Sequence, residues 1–143
     1  MKRAIAAALI ASTMLTGLAA SARASEQAQT ADASRSMDAP YIAVPVVRNG
    51  VLVNYIFVTL RIDIAQNVDL WRTREKAHFL RDALVRAAHG AQLADPNRDD
   101  QLNTPLTLAT FRAAAQRSLG PQAVRNLAIV AVYSARRSAG SQN

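Results

Sequence analysis

The stretch YIAVPVVRNGVLVNYIFVTLRIDIA, from Tyr41 to Ala65, decides the fold. At its middle stands Asn49-Gly50, two residues that tolerate positive φ; between apolar runs such a pair is the strongest short-range signal of a β-hairpin. The spacing predicts a strand over Tyr41–Val47, a tight turn, and a second, long strand over Val51–Ala65. Pro45 has no N–H to donate, which places the first strand at a sheet edge or a bulge. Along the second strand, alternation sets Leu52, Ile56, Val58, Leu60, Ile62 and Ile64 on one face, with Asn54 the polar exception. Val53, Tyr55, Phe57, Thr59, Arg61 and Asp63 take the other. The first face reads as core, and the second turns polar toward the end of the strand.

Downstream of the hairpin the period changes from two to that of a helix. Asn67 or Asp69 can cap a helix that continues to about Ala88, and Gly90 supplies a stop. Leu80, Ala83, Leu84 and Ala87 fall on one stripe, while Arg74, Glu75, Arg81, Asp82 and Arg86 lie opposite. The segment 95–100 is a polar, turn-rich loop. A second helix is expected from Thr104, as cap, and Pro105, with Leu108, Phe111, Ala115 and Leu119 on one side and Gly120-Pro121 at its end. Leu127–Tyr133 is β-branched and apolar enough for a central strand. The order is β-β-α-α-β: an α+β fold, an antiparallel hairpin plus a closing strand with two helices packed on one face.

Upstream, Lys2 and Arg3 precede an apolar run from Ala4 to Ala20, and Ala22-Arg23-Ala24 follows it. That order is a secretory signal peptide over residues 1–24, with retention as a membrane anchor the rival reading. Residues 25–39 are small and polar and read as a disordered tether, so the domain spans 40–137 and 138–143 form a polar tail. Export makes the expected location the periplasm of a bacterium. The chain has 17 basic and 10 acidic residues, but three of the basic ones lie in the signal segment. An exported chain with that modest excess is a poor candidate for binding nucleic acid. Without cysteine, disulfides, thiolate metal sites and thiol nucleophiles are all excluded.

The search for catalytic chemistry yields little. His78 and His89 share a helical face but stand about 16 Å apart along the axis, too far to share a metal. His78 and Asp82, at i and i+4, offer two ligands with no third in view. Asp95, Asp99 and Asp100 lack the alternation and terminal glutamate of an EF-hand, and no serine lies in a nucleophile elbow. The expectation is a non-enzyme with no metal and no cofactor. More informative is a seven-residue repeat on the outer side of the first helix, Trp71, His78 and Val85. This line is a candidate seam for a protein partner or a second copy; alternatively, Trp71 folds over the edge of its own core. Scattered arginines also allow peripheral contact with anionic lipid.

Taken together, the long strand Val51–Leu60, the helix containing Phe79-Leu80-Arg81-Asp82-Ala83-Leu84, the turn-rich loop, the second helix ending at Leu119-Gly120 and the closing Leu127–Val130 strand resemble the periplasmic domain of the flagellar basal-body-associated FliL family. Leu80-Arg81-Asp82 matches that family's hydrophobic-Arg-Asp stretch. The resemblance implies a stomatin-like α+β domain acting as a non-catalytic scaffold or accessory, in that family around the motor's stator units. Two features depart from it: the N-terminal segment reads as cleavable, and Val132-Tyr133-Ser134-Ala135 lacks the family's acidic-aromatic ending. A competing expectation is a binding protein for a small anionic ligand or lipid, using Arg61 and Arg48. Arg61 serving a pocket should be partly buried with no carboxylate satisfying it, whereas as an ordinary strand-end arginine it should pair with Asp63 from an adjacent strand or face water.

Overall fold

A computed structural model describes residues 35–136. The expected signal peptide, most of the tether and the tail therefore lie outside the described residues. The elements are β1 (Ser36–Arg48), β2 (Val51–Ile64), α1 (Leu70–Glu75), α2 (Ala77–Gly90), α3 (Thr104–Leu119) and β3 (Val124–Ser134). The strands form one antiparallel sheet in the order β1-β2-β3, and the helices cover one face of it. The expected α+β architecture is the observed one.

Asn49 and Gly50 make the hairpin turn with φ of 52° and 78°, and Arg48 pairs with Val51 across it. Two residues in the left-handed region match the right-handed twist of the flanking strands, which is why this pair sets the register. β1 starts at Ser36, earlier than the expected Tyr41, because Met37 and Ala39 bury their side chains in the core. Arg35 anchors this start: its guanidinium donates to the carbonyls of Ala65 (2.7 Å) and Val68 (2.8 Å). β1 is an edge strand, as Pro45 requires, and it carries an extra residue near Pro40-Tyr41, where Tyr41 has φ of 54°.

β2 is central, and Ile56, Val58, Leu60, Ile62 and Ile64 all face the core beneath the helices. Leu52, the outermost member of that face, is 47% exposed because the helices do not reach the hairpin tip. The closing strand is an edge, in contrast to the central position expected. Leu127, opposite Ile62, is buried toward the helices; Val132, opposite Val58 on the same face, remains exposed, as do Val130 and, opposite Phe57 on the other face, Tyr133.

The expected first helix is two helices. Asp69 caps α1, its carboxylate accepting from the N–H groups of Trp71 (2.9 Å) and Arg72 (3.2 Å). The Thr73 hydroxyl donates back to the Asp69 carbonyl (2.7 Å), a side-chain bond that bends helices, and Lys76 N–H closes on the Thr73 carbonyl three residues back. α2 then restarts after Lys76 and buries Leu80, Leu84 and Ala88, the expected stripe turned slightly toward Ala88. α2 packs on β1 and α3 on β3, with the two helices also touching each other. Asn103, one residue before the expected Thr104, caps α3 by accepting from Leu106 N–H (3.2 Å), and Gly120 ends it at φ of 111°.

Candidate functional site

The break at Lys76 changes the geometry of the Trp71, His78 and Val85 line. Trp71 sits on α1, and His78 and Val85 sit on α2, so the heptad spacing no longer stacks the three on one straight helix. Val85 is half-buried and packs against the core cluster, so the domain's own packing uses it and its premise as an outer residue fails. Trp71 is 75% exposed, the most exposed of the large apolar side chains among the described residues, and it does not fold over the core. His78 is also exposed, and its ring lies 3.9 Å, centroid to centroid, from that of Phe79, which is itself 60% exposed. What remains of the seam is a set of exposed side chains, Trp71 on α1 and the paired rings of His78 and Phe79 on α2.

Phe79 also belongs to a groove of about 340 Å³, lined besides by Lys76, Asp82, Ala83, Arg86, Arg117 and Ser118. Lys76, Phe79, Ala83 and Arg86 follow the period of one α2 face, and Arg117 and Ser118 close the groove from the last turn of α3. Arg86 is ion-paired with Asp82 one turn back. Neither Lys76 nor Arg117 makes an ion pair among the described residues. The Ser118 hydroxyl is buried and has no hydrogen-bond partner, although a serine in a helix normally reaches a carbonyl of the preceding turn. The α2 half of this groove was legible in the sequence as a helical spacing. The α3 half was not, because only the packing of the two helices brings Arg117 beside it.

The two arginines of the ligand-pocket expectation are both engaged. Arg61 makes a two-pronged contact with Asp38 on the neighbouring strand (2.9 and 3.0 Å), and both side chains are about half exposed. That hydrogen bond, opposed in part by desolvation, holds the Asp38 carboxyl below its ordinary value, and the same contact raises the Arg61 guanidinium. By the criterion set out above, Arg61 is a strand arginine meeting a carboxylate, although the partner is Asp38 in place of Asp63. Arg48 bonds Asp99 (2.8 Å) and the Asp95 carbonyl. Asp95, Asp99 and Asp100 are also committed, to Asn97 N–H, Arg48 and Arg98 respectively. The loop they form is fastened to the hairpin.

The fastening centres on Asn54, the polar exception on the core face of β2. Buried to 5% exposure, it donates to the Asp99 carbonyl and the Ser134 hydroxyl (2.8 Å each) and accepts from Tyr55 and Arg136 N–H (2.8 and 3.0 Å). It thereby ties the loop and the end of β3 to the central strand. Among the described residues no three His, Cys, Asp or Glu side chains are grouped to hold a metal, and no helix is long and apolar enough to cross a membrane. Compared with known proteins, the chain matches no family model, no curated protein and no solved structure.

Proposed function

We propose that this chain is an exported, non-catalytic interaction domain of the bacterial envelope that docks a protein partner through the outer aromatic surface of α1 and α2. The observation that carries the reading is Trp71, 75% exposed on a helix whose inner side is already anchored by buried Thr73. Exposed aromatic side chains such as Trp71 and Phe79 have a cost in water that docking removes, and tryptophan is enriched at the energetic centres of interfaces. The order of charge, apolar run and Ala22-Arg23-Ala24 at the N-terminus supports export. The resemblance to the FliL periplasmic domain supports the narrower form of the proposal, an accessory at the flagellar motor.

The test is co-isolation from envelopes of cells expressing the full chain, wild type against Trp71→Ala/His78→Ala, with both proteins checked for equal thermal stability. A defined partner, or a second copy, retained by wild type and lost by the variant is the expected outcome. Equal recovery with both proteins would remove this surface from the proposal. Loss of the partner's function, such as swimming, on deletion of the chain separates the flagellar version from the general one.

A further inference from the structure

The groove between α2 and α3 points to the chemistry of the partner, an inference that rests on the interaction-domain reading above. We infer that it receives an acidic segment of a protein partner, whose carboxylates meet Lys76 and Arg117 and whose apolar side chain lies on Phe79. Three cations and one carboxylate line the groove, and since Arg86 is already paired with Asp82, the uncompensated charge is that of Lys76 and Arg117. The charge favours an anion. Its distribution decides which kind: from Lys76 to Arg86 the lining follows about 15 Å of helix, ten residues at 1.5 Å each. A phosphate or a single carboxylate needs donors that converge on one point. Charges strung along a groove suit an extended chain with several carboxylates instead.

Two further features fit a peptide. Phe79 is 60% exposed within the lining, an apolar face between charged groups, where an aliphatic side chain flanked by acids would be covered. The Ser118 hydroxyl, buried and unpartnered in the wall, gives up no internal bond if it rotates toward the groove to donate to a peptide carbonyl or a carboxylate. Phe79 in the lining also meets the exposed His78 ring, so a segment lying on Phe79 passes next to His78.

The probe is a blocked, fluorescein-labelled peptide of six glutamates and two leucines, with a matched peptide carrying glutamine for glutamate. Binding to the full chain is followed by anisotropy at low ionic strength. Wild type should bind the glutamate peptide and not the glutamine one. Lys76→Glu/Arg117→Glu should weaken binding by roughly tenfold or more, since two surface charge contacts are lost and replaced by repulsion. Arg98→Glu/Arg136→Glu makes the same change in net charge beside Asn54, away from the groove, and should alter binding by less than about threefold. Phe79→Ala should weaken binding of the glutamate peptide and leave the salt dependence unchanged. If the groove pair unfolds the domain, Lys76→Gln alone carries the test at an exposed position, with a weaker expected loss of roughly threefold.

Equal losses in the two charge-reversed pairs would show a diffuse effect of net charge and overturn the inference. So would equal affinity for both peptides. Binding to phosphatidylglycerol vesicles that Lys76→Glu/Arg117→Glu abolishes, without any peptide binding, would assign the groove to membrane and likewise overturn it. A partner captured from envelopes equally by wild type and the groove variant, yet lost by Trp71→Ala/His78→Ala, would sink the groove and leave the interaction reading standing. Failure of both variants to matter would sink both.

Discussion

Replacing Asn54 by alanine removes four hydrogen bonds from a side chain that is only 5% exposed. Each is worth about 1 kcal/mol net, so the upper bound is about 4 kcal/mol. Part of that is recovered. Asp99 and Arg136 lie at the surface, where water can replace the lost partner, and the Ser134 hydroxyl keeps its bond to the Arg136 carbonyl. The Tyr55 amide bonds Asn54 locally and has less access to water. The expected cost is therefore about 2–3 kcal/mol, which for a domain near 100 residues lowers Tm by roughly 10–20 °C. Asn54→Leu should be no better, because the bulkier apolar side chain must fit a buried position and offers no hydrogen bond to the Asp99 carbonyl or the Ser134 hydroxyl. Thermal denaturation followed by circular dichroism gives the Tm, and limited proteolysis should show faster cutting within residues 95–103. Leu52→Ala, on the same strand face but 47% exposed, serves as the control with at most about 0.5 kcal/mol. A shift for Asn54→Ala no larger than that of the control would refute the reasoning that this residue fastens loop and strand.

Leu84 is fully buried, so Leu84→Ala should cost roughly 2–5 kcal/mol, whereas Arg86→Ala at a solvated ion pair should cost less than about 1 kcal/mol; coincident urea midpoints would show the helix faces misassigned. Asn103→Ala should destabilise by about 1 kcal/mol and Thr104→Ala by markedly less, and a reversed order in thermal melts would return the cap of α3 to Thr104. The Asp38 carboxyl has its pKa lowered from 3.8 by the hydrogen bond from Arg61. A group depressed in the folded state adds stability that is complete above its unfolded value and disappears as pH falls through the folded one. With both side chains about half exposed, solvent screens the contact. Asp38→Asn should remove that part of the acid limb of the stability curve and leave the slope near neutrality unchanged; an identical acid limb would sink the assignment.

The parts of this fold that were legible in the sequence are those fixed by neighbours along the chain. Asn49-Gly50 sets a turn by its own φ preferences, and the alternation from Ile56 to Ile64 needs only period two. The break at Lys76 contains no proline or glycine to announce it. It comes from Thr73 bonding its preceding turn, a choice that depends on Thr73 being buried. With the helix interrupted, a heptad drawn from Trp71 to Val85 crosses two helices, and Val85 is half-buried because it flanks the Leu84 and Ala88 face of α2. The apolar run of β3 could not reveal its edge position, since both faces of an edge strand here carry apolar residues. Asn54 stood out in the pattern, but its partners come from the loop and from the end of β3, distant along the chain. The candidate site divides the same way: exposed Trp71 and His78 were readable on a helix, and the Lys76–Arg117 pairing of surfaces required α3 to pack on α2.

The central claim, that the outer surface of α1 and α2 meets a protein, is tested most directly by photo-crosslinking in living cells. A photoreactive phenylalanine analogue replaces Trp71 in the full chain, with the same analogue at Arg98 as the control position on the fastened loop. Irradiation should give a discrete adduct with one protein species at position 71, absent at position 98 and lost when His78 is also changed to alanine. No adduct at position 71, or the same adducts from both positions, would contradict the account.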